Sequence, residues 1–356
     1  MAILNFTGFE TGTINELLNI YGSPKIRSRE ESYETHSGLN ALVVSSRVGV
    51  GYGGISIGEI AGGYQIEMDR NRIFVRFYCF FKKIPTISTE FFAVKDLNGF
   101  IKMSLRVDNA GTLIVKGYSE TSSEAADTFV AYPDIFSEEK WYRVELSIVS
   151  NGATEIKING TSLGLISLIS NNINIAYIML GNADDELSPD ADYEFTIDDV
   201  KITNDQFPGA GNIILLKPIA FGYHQQWQGF LEDILDVDSQ YLTAVDGRKQ
   251  TFVFYIKDET YLGTIASIKP TAFCISPSDE ISRVKNLIRI NDEDTLESVF
   301  VDIPSDSYYP IANIYPDNNG SAWTRTDLKK MEYGIVTSDD TTMINCDYIA
   351  LQVDYS

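Results

Sequence analysis

The sequence predicts an all-β protein made of two consecutive β-sandwich domains of the jelly-roll type. Short apolar runs of strand length recur along the 356 residues, turn-forming residues separate them, and no long segment shows helical periodicity. Aromatic residues, which favour strands, make up 12% of the chain. A Pro- and Gly-rich segment at 207–211 divides these runs. We therefore expect domains at 1–206 and 212–356, joined by a short linker.

In the first region, the segment from Trp141 to Val149 shows sandwich-strand alternation most clearly. Its even-numbered residues are apolar and its odd-numbered residues are mostly polar, so one face should lie in the core. An earlier run, 73–81, is largely apolar on both faces, which is typical of a strand in the middle of a sandwich. The predicted core-facing residues of the Trp141 strand are Tyr142, Val144, Leu146 and Ile148.

One short helix is predicted in the second region, near residues 325–333. Thr324 is suited to cap its first turn, and Asp327 stands at the third helical position, where its carboxylate can bond back to the cap. Gly334 should end the helix. The rest of this region consists of strand-like runs, so the second domain is also predicted to be a β-sandwich.

Five ordered segments give the first region a recognisable pattern. They are Phe6-Thr-Gly-Phe-Glu-Thr-Gly, Gly38-Leu-Asn-Ala-Leu-Val-Val, Lys140-Trp-Tyr-Arg-Val-Glu-Leu, Asn151-Gly-Ala-Thr-Glu-Ile-Lys-Ile-Asn-Gly and Phe195-Thr-Ile-Asp-Asp-Val-Lys-Ile. In this order they resemble a laminin-G-like, concanavalin A-type jelly roll. The resemblance covers roughly the first 205 residues. It implies a fold rather than a function, because one fold hosts many kinds of site.

The second region carries a different pattern, whose most specific piece is Ala322-Trp-Thr-Arg-Thr-Asp-Leu-Lys-Lys-Met-Glu-Tyr-Gly-Ile-Val. The Trp227 segment, the run through Thr251-Phe-Val-Phe and the end Ile349-Ala-Leu-Gln-Val-Asp-Tyr belong to the same pattern. Together they resemble a β-sandwich module common in structural proteins of tailed bacteriophages. That resemblance implies a virion protein of the head surface or the tail.

The chain is strongly acidic, with a formal net charge of −22. Such a chain repels phosphate backbones and anionic lipid surfaces, so we expect neither a nucleic-acid partner nor a membrane partner. The three cysteines have no metal-ligand spacing. No run approaches the roughly 20 apolar residues of a membrane span, and no signal peptide is evident. We therefore expect synthesis in the cytoplasm of a bacterial host.

Calcium is the one cofactor for which the sequence offers candidate ligands. A calcium site needs several converging oxygen atoms, and one acidic loop supplies carboxylates at close spacing. The alternative is a solvated acidic loop without a bound ion. A weaker second set is Asp236, Asp238 and Asp246. The ligands predicted in the first loop are Asp184, Asp185, Glu186, Asp190 and Asp192.

Two aromatic residues, Tyr223 and Trp227, are candidate contacts for a ligand or a protein partner, because His224 and polar residues surround them. A glycan-cleaving site would require paired carboxylates on one strand face. Glu67 and Asp69 supply such a pair, but the second glutamate of the expected strand pattern is missing. No catalytic residue is therefore assigned, and His36 and His224 are interpreted as single hydrogen-bonding residues.

These observations predict a non-enzymatic virion protein of a bacteriophage, on the capsid or tail surface, as a decoration, head-fibre or tail component. Its partners would be other virion proteins and further copies of itself, with host glycan as an additional ligand. The first alternative is a carbohydrate-binding adhesin for host surface glycan. The second alternative is a glycan-cleaving enzyme.

Overall fold

The computed structural model confirms the all-β fold class and its single short α-helix among the described residues. The structure describes residues 3–7, 20–21, 25–28, 36, 40–46, 63–96, 98, 100–118, 126–149, 153–167, 175–181, 193–235, 241–255, 263–278, 282–305 and 307–355. Only the backbone is described at 3–7, 20–21, 25–28, 40, 43–46, 63–70 and 126–128. Contacts within the chain divide it into unit 1, Met1–Ala210, and unit 2, Gly211–Ser356.

Unit 1 consists of strands throughout its described part. They are β1 (Ile3–Thr7), β2 (Ile20–Tyr21), β3 (Lys25–Ser28), β4 (Asn40–Ser46), β5 (Gly63–Arg70), β6 (Arg72–Lys83), β7 (Thr89–Lys95), β8 (Ile101–Val107), β9 (Leu113–Tyr118), β10 (Ala126–Tyr132), β11 (Trp141–Val149), β12 (Ala153–Ile158), β13 (Thr161–Ser167), β14 (Ile175–Gly181) and β15 (Tyr193–Thr203).

The strands of unit 1 form two sheets that enclose one core. An eight-stranded sheet runs β13-β12-β11-β6-β15-β4-β3, with β1 also paired to β15, and a seven-stranded sheet runs β10-β9-β8-β7-β14-β5-β2. Phe77 of the first sheet stacks on Phe92 of the second, with 5.5 Å between ring centroids. Their burial shows that the inner faces of the two sheets pack together. The core-facing side chains predicted for the Trp141 strand are all buried in this core.

Unit 2 contains the remaining elements. They are β16 (Asn212–Leu216), β17 (Pro218–Gln225), a 3-10 turn (Leu231–Ile234), β18 (Leu242–Ala244), β19 (Lys249–Phe254), β20 (Ile265–Ile275), β21 (Arg283–Ile290), β22 (Glu293–Glu297), β23 (Val301–Asp302), β24 (Tyr309–Ala312), α1 (Arg325–Lys330), β25 (Met331–Thr337) and β26 (Ile344–Tyr355).

Unit 2 is a second sandwich with its own core. A five-stranded sheet runs β16-β26-β20-β24, with β18 also paired to β26, and a six-stranded sheet runs β17-β19-β25-β21-β22, with β23 also paired to β21. Ile268 and Ile349 of the first sheet are buried with Phe252 and Tyr333 of the second. No helix in the described residues is long and apolar enough to cross a membrane.

The helix begins where the sequence predicts but ends earlier. Thr324 and Asp327 form the predicted capping box, in which the Thr324 hydroxyl accepts from the Asp327 N–H and the Asp327 carboxylate accepts from the Thr324 N–H. Met331 is already extended (φ −83°, ψ 141°) and starts β25. Strand pairing with β19 and β21 on both sides replaces the last helical turn expected there.

The segment predicted as a linker is partly packed onto unit 1. The Phe207 ring lies 5.3 Å, centroid to centroid, from Phe74, and the Lys157 ammonium lies 3.6 Å from the centroid of the same ring. The Gly209 N–H donates to a Glu145 carboxylate oxygen at 2.9 Å. Because three side chains hold this segment, the division between the two units by contacts falls after Ala210.

Candidate binding groove on the second unit

The outer face of the six-stranded sheet carries polar side chains from several of its strands. Phe252 and Tyr333 point into the core, so their chain neighbours Thr251 and Glu332 lie on the opposite, outer face. The Thr251 hydroxyl donates to the Glu332 carboxylate at 2.6 Å. The polar groups of β19 and β25 are therefore joined across the outside of the sheet.

A bulge of β17 lies over this outer face, because Phe221 is opposite Phe252 and Gln225 is opposite Gln250, with a register shift between them. His224 on β17 and Asp294 on β22 lie at opposite ends of a five-strand path, yet His224 Nε2 is 3.1 Å from Asp294 Oδ1. Four strand spacings of about 4.8 Å would separate them by about 19 Å on a flat sheet. Two short side chains cannot bridge that distance, and the bulge of β17, whose Tyr223 N–H donates to Glu332 on β25, carries His224 part of the way across the face. We call the surface around this bulge the Tyr223 groove, and it is lined by Tyr223, His224, Lys249, Arg289, Asp294 and Glu332.

A glycine allows β17 to approach the floor of the groove. A Cβ atom at Gly222 would lie 2.4 Å from Glu332 Oε2 and 2.6 Å from Thr251 Oγ1. Without that atom, the Tyr223 N–H donates to Glu332 at 2.8 Å and the His224 N–H donates to the Thr251 hydroxyl at 3.0 Å. These bonds fix the backbone that carries Tyr223 and His224.

Asp294 is the electrostatic centre of the groove. Its carboxylate contacts the Lys249 ammonium at 2.7 Å, His224 Nε2 at 3.1 Å and the Arg289 guanidinium at 3.3 Å. Burial alone would raise the pKa of Asp294, but the hydrogen bonds and charges of Lys249 and His224 outweigh burial and lower this pKa to about 2. The carboxylate therefore stays ionised and holds the three side chains in place.

Tyr223 presents an open aromatic surface at the edge of the groove. The residue is 68% exposed. The Arg289 guanidinium carbon lies 4.1 Å from the ring centroid, and the His224 ring meets the Tyr223 ring at 81° with 5.0 Å between centroids. Arg289 thus supports one face of the ring through a cation–π contact, and the ring remains open to solvent.

The second predicted contact residue, Trp227, does not belong to this surface. Trp227 is only 8% exposed and packs in the core of unit 2, while its backbone N–H donates to the buried Gln250 side chain at 3.3 Å. Because its side chain is buried, Trp227 is not an exposed contact residue. Of the two aromatic candidates, Trp227 therefore lies in the core and Tyr223 on the surface, a difference that the residue types alone do not predict.

The predicted calcium loop, with Asp184, Asp185, Glu186, Asp190 and Asp192, lies outside the described residues, so the site stays a prediction. In the second set, Asp246 lies in an exposed turn, and Asp236 and Asp238 are outside the described part. Within the residues that the structure describes, no group of three His, Cys, Asp or Glu side chains is placed to hold a metal ion.

The carboxylate pair considered for glycan cleavage lies on β5. The backbone of Glu67 is opposite Tyr177 in the β14 pairing, and Asp69 is near the end of the same strand. The side chains of both residues are outside the described part of the structure.

A second polar cluster, in unit 1, surrounds His36. His36 Nδ1 lies 2.6 Å from the Asp199 carboxylate, and the His36 N–H donates to Asp198 at 2.9 Å. The imidazole stacks on Tyr78 with centroids 3.5 Å apart. Asp199 has a φ of +48°, which is rare for a residue with a side chain. The sequence interpretation of His36 as a hydrogen-bonding residue did not include this carboxylate pair, which a β6–β15 bulge brings to it.

The comparisons with known proteins do not identify a family. No protein-family model matches the chain, and no curated protein matches it. Among solved structures, the cellulose-induced protein Cip1 shares 15% identity over 58% of this chain and 100% of its own, with a TM-score of 0.42.

Two further solved structures are similar over smaller parts of the chain. The galectin LEC-6 of Caenorhabditis elegans shares 11% identity over 40% of this chain and 91% of its own, with a TM-score of 0.31. The alginate lyase A1-II′, a member of polysaccharide lyase family 7, shares 10% identity over 50% of this chain and 88% of its own, with a TM-score of 0.34. At TM-scores below 0.5 these likenesses carry no argument about function, and none of the three proteins is named as a bacteriophage component.

Proposed function

We propose that this chain is a non-enzymatic surface protein of a bacteriophage particle that contacts glycan through the Tyr223 groove. The observation that carries the binding function is the exposed Tyr223 ring, fixed on the Arg289 guanidinium beside a cluster of polar side chains. The resemblance of residues 212–356 to phage structural modules supports the location on a particle.

A glycan fits this groove for chemical reasons. A pyranose ring has a face of C–H groups, which packs against an aromatic ring, and an edge of hydroxyls, which need both donors and acceptors. Tyr223 offers the aromatic face, Lys249 and His224 offer donors, and Asp294 offers acceptor oxygens. Ligand sites typically combine such a surface with a few fixed polar groups.

The binding test compares single substitutions in the full chain. Tyr223→Ala should abolish glycan-array and calorimetric binding, while Tyr223→Phe should keep most of it because the ring remains. Tyr255, at 63% exposure, provides the matched control outside the groove, and Tyr255→Ala should bind as the unmodified chain does. Absence of any glycan ligand, or equal losses in the two alanine variants, would reject the binding function.

The location is tested on purified particles. Cryo-electron microscopy should show density for the β-sandwiches of this chain at symmetric positions on the capsid or tail, and mass spectrometry should find this chain in the same particles. A chain that never copurifies with particles from a producing host would contradict the virion assignment without affecting the binding test.

A further inference from the structure

Two free cysteines of unit 2 face each other across its five-stranded sheet. Cys274 on β20 and Cys346 on β26 are directly opposite in the antiparallel pairing of these strands. Both residues are fully buried, and both belong to the same hydrophobic core. Two thiols at one point of one core can be joined by a single covalent bond if their geometry permits it.

The two thiols also contact each other. The Cys274 thiol is hydrogen-bonded to the Cys346 side chain. The Cys346 S–H donates to the Tyr348 carbonyl oxygen at 3.4 Å. Because the hydrogen of Cys346 is directed at this carbonyl, the Cys346 sulfur is the acceptor for the Cys274 S–H. The two sulfur atoms are therefore adjacent before any bond forms between them.

The backbone spacing at this pair suits a disulfide. Residues directly opposite in an antiparallel pair have Cα atoms about 4.5 or 5.5 Å apart, and disulfide-linked cysteines have Cα atoms about 4.4–6.8 Å apart. The Cβ atoms of such opposite residues are about 4.5–5.5 Å apart, against about 3.5–4.5 Å in a disulfide. Closing the bond therefore requires the Cβ atoms to approach by about 1 Å, a small movement within one strand pair.

We propose that Cys274 and Cys346 form a reversible disulfide when the chain meets an oxidising environment. The oxidant is a small disulfide such as glutathione disulfide. One cysteine thiolate attacks it, which forms a mixed disulfide and releases one small thiol. The other cysteine thiolate then attacks the protein sulfur of the mixed disulfide and releases the second small thiol. Two protein thiols are thereby oxidised to one disulfide, the small disulfide is reduced to two thiols, and the two protons pass to the released thiolates.

Burial determines when this exchange takes place. Neither thiol is accessible in the closed sandwich, so an oxidant reaches the pair while the strands assemble or during local opening of unit 2. The native dithiol should therefore react slowly, whereas a chain that folds in the presence of oxidant should be linked from the start.

The link would join the two neighbouring strands at the middle of the sheet, whose order is β16-β26-β20-β24. It would close a loop of about 70 residues, which restricts the unfolded chain and should stabilise unit 2. The approach required of the Cβ atoms leaves some strain in the bond, and strained disulfides are reduced more easily. The chain should therefore be a dithiol in a reducing cytoplasm and linked outside the cell. This inference depends neither on the Tyr223 groove nor on the location of the chain on a particle.

Refolding of the full chain in a buffer of glutathione and glutathione disulfide tests the proposal. Free thiols are then alkylated, and the peptides are analysed by mass spectrometry. Cys274 should be linked to Cys346 in most molecules, and Cys79, buried in the core of unit 1, should be alkylated. Refolding with excess reductant should leave all three cysteines alkylated. Cys79→Ala is the matched control and should keep the link, whereas Cys346→Ala should leave its two remaining thiols free.

Thermal melting measures the consequence for stability. The linked chain should melt at least about 3 °C above the dithiol chain, and dithiothreitol should abolish the difference. The melting temperature of Cys346→Ala should not respond to the oxidant. Export of the full chain into an oxidising bacterial compartment gives the same comparison without a refolding step.

Three outcomes would overturn the proposal. The first is a chain that folds in the oxidising buffer or compartment and keeps all three thiols free. The second is a link from Cys79 to either of the other two cysteines in place of the Cys274–Cys346 link. The third is a linked chain that melts below the dithiol chain, because the strain of the bond would then exceed its stabilising effect.

Discussion

The Arg289 guanidinium supports the ring of Tyr223, with 4.1 Å between its central carbon and the ring centroid. The two residues lie on β21 and β17, which are separated by two strands in the sheet. Arg289 is nearly buried and is itself held by Asp294 at 3.3 Å. An exposed aromatic side chain is thereby connected to the ion cluster of the groove floor, and its orientation is set before any ligand arrives.

Replacing Arg289 should therefore weaken glycan binding although the Tyr223 ring remains. Arg289→Met keeps an apolar stem but removes the cation–π contact and the bond to Asp294, and we expect about a fivefold rise in Kd, equivalent to about 1 kcal/mol. Isothermal titration calorimetry, with the glycan that the unmodified chain binds, measures this change in Kd. Arg283→Met, in an exposed ion pair with Asp302, is the control. Unchanged affinity in Arg289→Met would show that the support is dispensable.

The carboxylate of Asp294 should make the stability of unit 2 depend on pH in the acid range. Its folded pKa of about 2 is below the unfolded value near 3.8, so its contribution is complete above about pH 4 and is lost as pH falls towards 2. After allowance for solvent screening, we expect the Asp294 carboxylate to contribute about 1 kcal/mol to the free energy of unfolding. Asp294→Asn should lower the free energy of unfolding by that amount at pH 6, and the difference should vanish near pH 2. A difference that does not change with pH would contradict this assignment.

Gly334 should tolerate no side chain. A Cβ atom there would lie 1.9 Å from the Gln250 carbonyl oxygen and 2.8 Å from the Thr251 Cα, both backbone atoms of the neighbouring strand. Gly334→Ala should destabilise unit 2 by about 3 kcal/mol or more, since β19 and β25 must separate. Gly222→Ala meets side-chain atoms of Glu332 and Thr251 instead of backbone, and because side chains can shift further than a paired strand, it should cost less. Denaturant unfolding measures the free energy of unfolding of both variants. Equal losses of stability in the two variants would contradict the prediction that Gly334 is the less tolerant position.

The capping box of α1 should contribute measurably despite the shortness of the helix. Thr324→Ala removes the acceptor for the Asp327 N–H and should cost about 1 kcal/mol, whereas Thr324→Ser keeps the hydroxyl and should cost little. Thermal unfolding monitored by tryptophan fluorescence is suitable, because Trp323 precedes the cap and is buried. A serine variant as unstable as the alanine variant would show that the threonine methyl group, not the cap, matters.

The three cysteines should be unreactive until the chain unfolds. Cys274 and Cys346 are directly opposite in the β20–β26 pairing, and both, like Cys79, are fully buried free thiols. Burial raises the pKa of Cys79 and of Cys274 far above that of a free thiol, so little thiolate exists at neutral pH. Ellman's reagent should detect no thiol in the native chain and three after denaturation. Rapid reaction of any native thiol would contradict this packing.

Much of this molecule could be predicted from local pattern. Alternation along 141–149 correctly assigned the buried face of β11, and Thr324 with Asp327 fixed the start of α1, because strand faces and helix caps depend on residues close in sequence. Tyr223 was a candidate contact because it is aromatic and stands beside His224 and polar residues in the sequence. The site residues in the calcium loop remain predictions.

What the sequence determined by itself was thus the all-β class, the repeated strand pattern and the acidic surface. Tertiary structure alone decided that β25 starts at Met331, that Trp227 is buried while Tyr223 is exposed, and that Asp294 gathers Lys249, His224 and Arg289. These outcomes depend on which strands become neighbours and on where β17 bulges over the sheet. Such contacts join residues far apart in sequence, as in the 70 positions between His224 and Asp294, and their energies exceed the local preferences that a sequence displays.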